Sequence, residues 1–432
     1  MIGSYASRQS RPAAAPLVGK PTTAASTASS TVAKQRIMPL SYWRVVAGGS
    51  AKDEDQFLAK ISERLGAKTW AFPVGRARIG IYLLVKLALR EGRHKVLMSP
   101  FTIPDVVTMV ILAGAEPIFY DFAANSTACD VDGLSALMDD QTACVLVTHY
   151  HVNEPHLRAI ADLCRSHGAL LFDDCAIAFG GSIEGQPMGT LTDASVFSFS
   201  SFKLLNYFWG GLITTRNPLL ADRIRDMISQ WPRLGPRDYM RPARGCLQYD
   251  LASRPSLFGA LVFPLFRRRL RRQGDGRSLE HQRIETTDLN PTLTSRPSLA
   301  AFAEWWPKMA DIDAWLERRR RIASIYRRSL GARMVSADTP TAQLPGACYV
   351  NFPLLVPQER CAEINKAMMV SGYDLGRSLY PNAHRHPKFT AVEGRSLNVD
   401  DLVARTLYLP THFGVSEAYA EEIAGRLLAE IG

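Results

Sequence analysis

The stretch that decides the fold is Leu170 to Thr215, LLFDDCAIAFGGSIEGQPMGTLTDASVFSFSSFKLLNYFWGGLITT. It reads as strand, acidic turn, glycine-rich excursion, strand, and then a lysine on a loop. Leu170, Leu171 and Phe172 end an apolar run, so Asp173 and Asp174 fall where a buried strand gives out. In an open α/β sheet that edge is where ligands bind. Ser195 to Phe199 alternates small and large residues as a strand does, Lys203 follows at once, and Gly210-Gly211 opens a further strand over Leu212 to Thr215. A carboxylate at one strand end and a lysine just past another can face one crevice. Burial lowers a lysine's pKa and so makes its amine a competent nucleophile.

The order and spacing of these residues resemble the DegT/StrS-type sugar aminotransferases, which are fold-type I pyridoxal-phosphate (PLP) enzymes. The residues that carry the resemblance are Asp173-Asp174-Cys175-Ala176, Gly180, Phe197-Ser198-Phe199, Lys203 and Gly210-Gly211. Each is weak alone, and the ordered set is specific. The resemblance implies that Lys203 holds PLP as a Schiff base. It makes Asp174, the second acid, the partner of the pyridine nitrogen, which a carboxylate keeps protonated so that the ring can draw electrons. It makes Ser198 a phosphate contact. Three residues after the second acid the family carries Gln beside the cofactor's phenolic oxygen; here Ile177 stands there and cannot hydrogen-bond.

Working outward toward the N-terminus, the strand–helix alternation continues and predicts a mostly parallel sheet with helices on both faces. Ala143 to Thr148 reads as a buried strand ending at His149-Tyr150-His151, with a helix over Glu154 to His167. The two histidines have no cluster of cysteines or carboxylates around them, so no metal is expected. Lys95 to Met98 and Glu116 to Asp121 read as short strands, separated by Pro100-Phe101-Thr102, which resembles the family's Pro-x-x-Thr motif, and by a helix; Ile103 takes the place of the family's ring-stacking aromatic. Residues 71 to 92 read as a turn at Gly75 leading into a long helix, whose N-terminus suits a phosphate. The family puts the cofactor phosphate at this turn, so Gly75, Arg76 and Ala77 are expected to hold it, with Arg76 replacing the usual Thr and offering a guanidinium fork. Read without the resemblance, the same turn is a plain helix cap. Ala51 to Leu65 reads as an amphipathic helix, and residues 1–38 as a disordered tail, with an organelle transit peptide as the other reading of its basic, Ala/Ser/Thr-rich composition.

Toward the C-terminus, residues 216–290 are the least family-like part. Pro255 to Phe266 is apolar and is followed by Arg267 to Arg272, RRRLRR. Such a segment can pack at a dimer interface or in a core, wall a site for an apolar substrate, or lie on an anionic membrane as a peripheral contact. Its lack of a recognition motif or aromatic ladder argues against nucleic acid. Residues 298 to 330 are strongly helical and resemble the family's long helix, and the Arg318 to Arg321 run reads as a solvated face. The family's phosphate-reaching Asn from the partner subunit has Asn290 as its nearest candidate. Ala347 to Val356 reads as a strand, Gln358 to Ser371 as a helix, Asp374 to His386 as a polar loop, Arg405 to Phe413 as the family's Leu-Pro strand and Ser416 to Leu428 as its final helix.

The chain has 432 residues, enough for two domains, and 47% hydrophobic content, ordinary for a globular protein. Its seven cysteines include no CxxC pair, which points away from a disulfide framework and toward a reducing, cytoplasmic compartment, with membrane association as an addition. The formal charge of +10 suits an anionic substrate or surface, and equally a basic surface with no specific partner. The fold class expected is α/β, fold-type I PLP-transferase-like. It comprises a large domain with a mostly parallel sheet over 39–285, which includes the atypical insert, and a smaller α+β domain over 286–432. The resemblance implies a homodimer that moves an amino group from an amino acid, glutamate, to a nucleotide-linked keto-sugar. Other readings left open are a different PLP reaction such as sugar dehydration, a lipid-linked or apolar acceptor at a membrane, and a degenerate member with a scaffold role.

Overall fold

A computed structural model describes residues 39–150, 153–272, 286–331, 346–373, 375–377 and 381–431. The expected N-terminal tail and His151 lie outside the described residues.

Seven strands form the main sheet: β1 (Trp70–Val74), β2 (Lys95–Met98), β3 (Glu116–Phe119), β4 (Thr142–Thr148), β5 (Leu170–Asp174), and, after a hairpin of β6 (Ser182–Ile183) and β7 (Gln186–Pro187), β8 (Ala194–Ser198) and β9 (Gly211–Thr215). Their order is β1-β9-β8-β5-β4-β2-β3. The pairs from β3 through β8 are parallel, and β9 runs antiparallel to both β8 and β1. Strand β4 shows why: TACVLVT has no polar alternation and is buried along almost its whole length, as a strand covered on both faces must be. One apolar cluster packs on each face. Val147, Leu171 and Phe197 look to one side; Leu146, Phe172 and Val196 look to the other.

The helix Ala51–Leu65 starts where the sequence predicts, because Ser50 and Asp53 form a capping box: the Ser50 hydroxyl accepts the Asp53 N–H and the Asp53 carboxylate accepts the Ser50 N–H. The helix predicted over Glu154 to His167 spans Leu157–Ser166. Glu154 is instead a buried loop anchor whose carboxylate accepts the Cys129 and His156 N–H groups at 2.9 Å each. The strand expected over Ala347 to Val356 shortens to β10 (Asn351–Leu355), since Tyr349 turns the chain in the left-handed region at φ 40. With β11 (Gly376–Arg377) and β12 (Thr406–Pro410) it makes a small antiparallel sheet covered by the helices Ile312–Leu330, Gln358–Ser371 and Glu417–Ile431.

The core around the main sheet takes in Ala300, Phe302, Trp305, Ile312 and Leu316, while the core of the small body begins at Ile322. We propose that the division between the two bodies falls inside the helix Ile312–Leu330, later in the chain than 286. Arg318 to Arg321 is not the solvated face its composition suggests. Arg318 and Arg321 are exposed, but Arg319 is 7% exposed and Arg320 is half-buried, and Arg318 donates to the Val415 carbonyl and Arg320 to the Ala347 carbonyl, so the run is solvated only in part. Among its described residues the 216–290 stretch forms the helices Pro218–Ser229 and Pro236–Ala252 and a third over 255–272, loosened by a π-type turn at Phe258–Val262.

Candidate active site

At the carboxyl edge of β4, β5 and β8 lies a cavity of about 860 Å³. Arg76, Ala77, Ile103, Asp174, Ile177, Ser198 and Lys203 all line it. Gly75 and Asn290 do not. The Gly75 N–H donates to the Ser295 carbonyl at 2.7 Å, which bolts the turn in place behind the cavity wall. The Asn290 side chain accepts the Leu293 N–H at 3.0 Å within its own turn.

The two acids at the end of β5 divide, because successive residues of a strand point to opposite faces. Asp174 faces the cavity. Its Oδ1 accepts the Ala176 N–H at 2.9 Å, and burial raises its pKa, with the Lys203 charge pulling the other way. Asp173 points into the body of the protein, fully buried. His149 Nε2 lies 3.2 Å from its Oδ2 and the Thr192 hydroxyl donates to its Oδ1 at 2.7 Å. Since the Glu154 N–H donates to His149 Nδ1 at 3.1 Å, the imidazole proton sits on Nε2 and points at Asp173. His149, Asp173 and Cys175 bring their ligand atoms within 4.8 Å of one another, a set with cation-binding chemistry. Here those atoms serve one another. Both imidazole nitrogens are engaged, and burial pushes the Cys175 thiol up so that it stays protonated and donates to Asp173 at 3.3 Å.

Burial pushes Lys203 down to about 8; Asp174 opposes that shift and the charge of buried Arg319 adds to it. The side chain is part-exposed, and it lines the cavity. Gly211 permits this geometry. A Cβ there would stand 2.7 Å from the Ala77 nitrogen, so only glycine lets β9 pass the start of the helix Ala77–Ala88.

That helix has Arg76 as its N-cap, with no side chain accepting its first N–H groups. Its positive end and open donors face the cavity beside the Ser198, Ser200 and Ser201 hydroxyls. The donor set fits PLP: an amine of depressed pKa for the aldehyde, a buried carboxylate whose raised pKa a cationic ring nitrogen would reverse, and hydroxyls, a guanidinium and a helix N-terminus for the phosphate.

Some of the site was not singled out in the sequence. The Arg76 guanidinium stacks on Trp209 at 3.8 Å. Arg78 pairs with buried Asp105 at 2.8 Å, and Asp105 also accepts the Thr286 N–H at 2.9 Å, tying the end of the insert to the cavity wall. Phe202 lines the cavity and meets Tyr249 edge-on at 5.2 Å. A signal existed for Arg78, which falls one turn of helix residues past the Gly75 turn with its charge toward an apolar run. None existed for Trp209 or Phe202, since the sequence gives no partner for either.

The sheet order, the lysine beyond β8 and the acid at the end of β5 define the class, a fold-type I PLP-dependent aminotransferase. The sequence profile of the DegT/DnrJ/EryC1/StrS aminotransferase family matches residues 49–234 and 300–428, and the chain belongs to that family. It is 25% identical over 353 residues to a dTDP-4-dehydro-2,3,6-trideoxy-D-glucose 4-aminotransferase of Saccharopolyspora spinosa, a match covering 80% of each chain. It is 27% identical over 184 residues to the GDP-perosamine synthase of Vibrio cholerae, covering 42% of this chain and half of that one. Among solved structures it superposes on the aminotransferase TlmJ of Streptoalloteichus hindustanus with a TM-score of 0.69 at 20% identity, covering 92% of this chain and 98% of the other. Members of this family act on small molecules and typically form homodimers. Among the described residues no helix is long and apolar enough to cross a membrane.

Proposed function

We propose that the protein moves an amino group from an amino acid, glutamate, to a nucleotide-linked keto-sugar, with Lys203 as the reacting amine, and that it works as a homodimer. The observation that carries this is Lys203, depressed to about 8, lining one cavity with Asp174. Two of the relatives named above, by name a dTDP-linked dehydro-sugar 4-aminotransferase and a GDP-perosamine synthase, support the acceptor class. PLP supplies, when bound, an aldehyde for amines and a ring that draws electrons from the substrate carbon.

The chain's own residues do the rest. With a pKa near 8 Lys203 is uncharged in about a tenth of molecules at pH 7 and about half at pH 8, far more than an ordinary lysine, so it both attacks as a nucleophile and carries the proton to and from the substrate's amine-bearing carbon. Asp174 would hold the proton at the ring nitrogen. Ser198, Arg76 and the backbone at Ala77 would hold the phosphate; Gly75, whose N–H is taken by Ser295, and Asn290, which caps its own turn at Leu293, stand outside this cavity. Ile103 would offer the ring an aliphatic surface, and Ile177 would offer its phenolic oxygen no hydrogen bond.

The test is an absorption spectrum of the purified protein after loading with PLP, beside Lys203→Ala. A visible band that glutamate bleaches in the wild type and that Lys203→Ala lacks is the expected result. A protein that takes up no PLP, or one whose band survives the lysine's removal, sinks the reading. Turnover is expected to fall at least about a thousandfold in Lys203→Ala, as losses of a covalent nucleophile do.

A further inference from the structure

The family match stops at 234 and resumes at 300, and within the segment it skips residues 236–272 form an exposed, two-part helical arm. From Arg254 to Arg272 the sequence is RPSLFGALVFPLFRRRLRR, with six arginines and no acidic residue. Its inner side holds the arm to the protein through buried Phe258 and Leu270. Its outer side is sorted along its length. Leu257, Leu261 and Leu265, spaced four apart, are 37%, 61% and 72% exposed. The same stripe continues into Arg268 and Arg272, with Arg267 and Arg271 exposed beside it. The preceding helix adds Leu247 and Leu251, also exposed and four apart.

We propose that this arm docks the protein on an anionic lipid surface, the leucines entering the interface and the arginines binding headgroup phosphates. An amphipathic helix with exposed leucine on one stretch and a basic cluster adjoining it has the composition that lies in a membrane interface. Two features of the arm select this occupant. A second copy of the chain would bring its own exposed Arg267, Arg268, Arg271 and Arg272 to the same face of a two-fold contact, where like charges repel. Nucleic acid would satisfy the arginines but leave the row of leucines facing phosphate and water. A bilayer with anionic headgroups satisfies both. The arm also reaches the cavity, since Tyr249 of its first helix packs on Phe202 of the cavity lining and the Ser201 hydroxyl lies 3.0 Å from Cys246. The proposal stands whether or not the protein is an aminotransferase.

Flotation of the full chain with vesicles of phosphatidylglycerol and phosphatidylcholine tests it, against vesicles of phosphatidylcholine alone. Wild type is expected to float with the anionic vesicles and to be released as salt rises. Each basic residue near an anionic surface contributes about fivefold to binding, so Arg267→Gln, Arg268→Gln, Arg271→Gln and Arg272→Gln combined should weaken it by roughly 100-fold or more. Leu257→Ser, Leu261→Ser and Leu265→Ser combined should weaken it as well, with no change in sedimentation. Wild type that stays at the bottom overturns the proposal. So does binding that survives in both variants, which would assign it elsewhere in the chain. A leucine variant that sediments as a smaller species overturns it too, because the face would then belong to a second copy.

Discussion

The cavity and the arm touch at Phe202 and Tyr249 and are built on opposite principles. At the cavity and just behind its wall, charges are answered inside the protein: Asp105 by Arg78, Asp173 by His149 and Thr192, and Lys203 by the opposing charge of Asp174. Its groups are held by strand ends and a helix N-terminus, so their positions follow from the sheet. In the arm the arginines face outward and no acidic residue of the same segment answers them. Burial makes the first region's chemistry, by moving pKa values and fixing tautomers. The second region has only its surface, and its meaning depends on what meets it.

The sharpest way to break that contrast is to change Asp174. Asp174→Asn keeps the shape and removes the charge, and turnover should fall by about 10²–10³-fold, the cost of losing one preorganised electrostatic partner. It also separates two causes. Burial lowers Lys203 and the Asp174 charge raises it. In the wild type, borohydride trapping of an aldehyde on Lys203 should therefore show a midpoint at about pH 8. Removing the carboxylate removes the raising influence, so the midpoint in Asp174→Asn must move down. A midpoint that moves up would mean that Asp174 does not act on Lys203 through the cavity.

Arg76→Ala should have the next largest effect. A charge-assisted hydrogen bond contributes about 1.5–3 kcal/mol, and the helix N-terminus and serines retain part of the anion's binding. Retention of PLP, read by equilibrium dialysis, should weaken by about tenfold with the turnover of the saturated enzyme little changed. Arg76→Lys should recover only part of this, since an ammonium cannot stack flat on Trp209 as the guanidinium does at 3.8 Å.

The sequence carried what depends on chain order. The strand ends at Asp174 and Ser198 and the loop at Lys203 were legible because an apolar run that stops at an acid marks the edge of a buried strand. The resemblance then assigned roles to Arg76, Ile103 and Ile177, which the sheet brings to the same cavity. The opposite fates of Asp173 and Asp174 follow from strand alternation, which points adjacent side chains to opposite faces. What stayed hidden depends on contacts distant in sequence. The pairing of His149 with Asp173, the stacking of Arg76 on Trp209 and the burial of Arg319 each join residues that no spacing relates. Arg319 shows the limit of composition most clearly: an arginine run reads as solvated until the helix is packed, and burial then lowers Arg319 to about 10, with Cys348 opposing. The antiparallel turn of β9 was equally invisible, since a buried strand's residues do not record its direction.

The smallest expected effect is the one that sharpens the contrast most. If the cavity's chemistry is complete within the protein, the four-arginine variant of the arm should turn over a water-soluble acceptor within about twofold of wild type, because exposed charges far from the reacting groups are screened within roughly 8–10 Å at ordinary salt. Adding anionic vesicles should then leave that variant unchanged while carrying the wild type to the lipid surface. A large loss of turnover in solution would show that the arm's charges reach Lys203 directly. Phe202 and Tyr249, the contact between the two regions, would be the first place to look, since Tyr249 lies on the arm and Phe202 on the cavity wall one residue before the lysine. Phe202→Ala discriminates between the routes: if the arm acts through that contact, the single change reproduces the four-arginine loss, and if the two regions are independent, it alters KM for the acceptor while binding to vesicles stays as in the wild type.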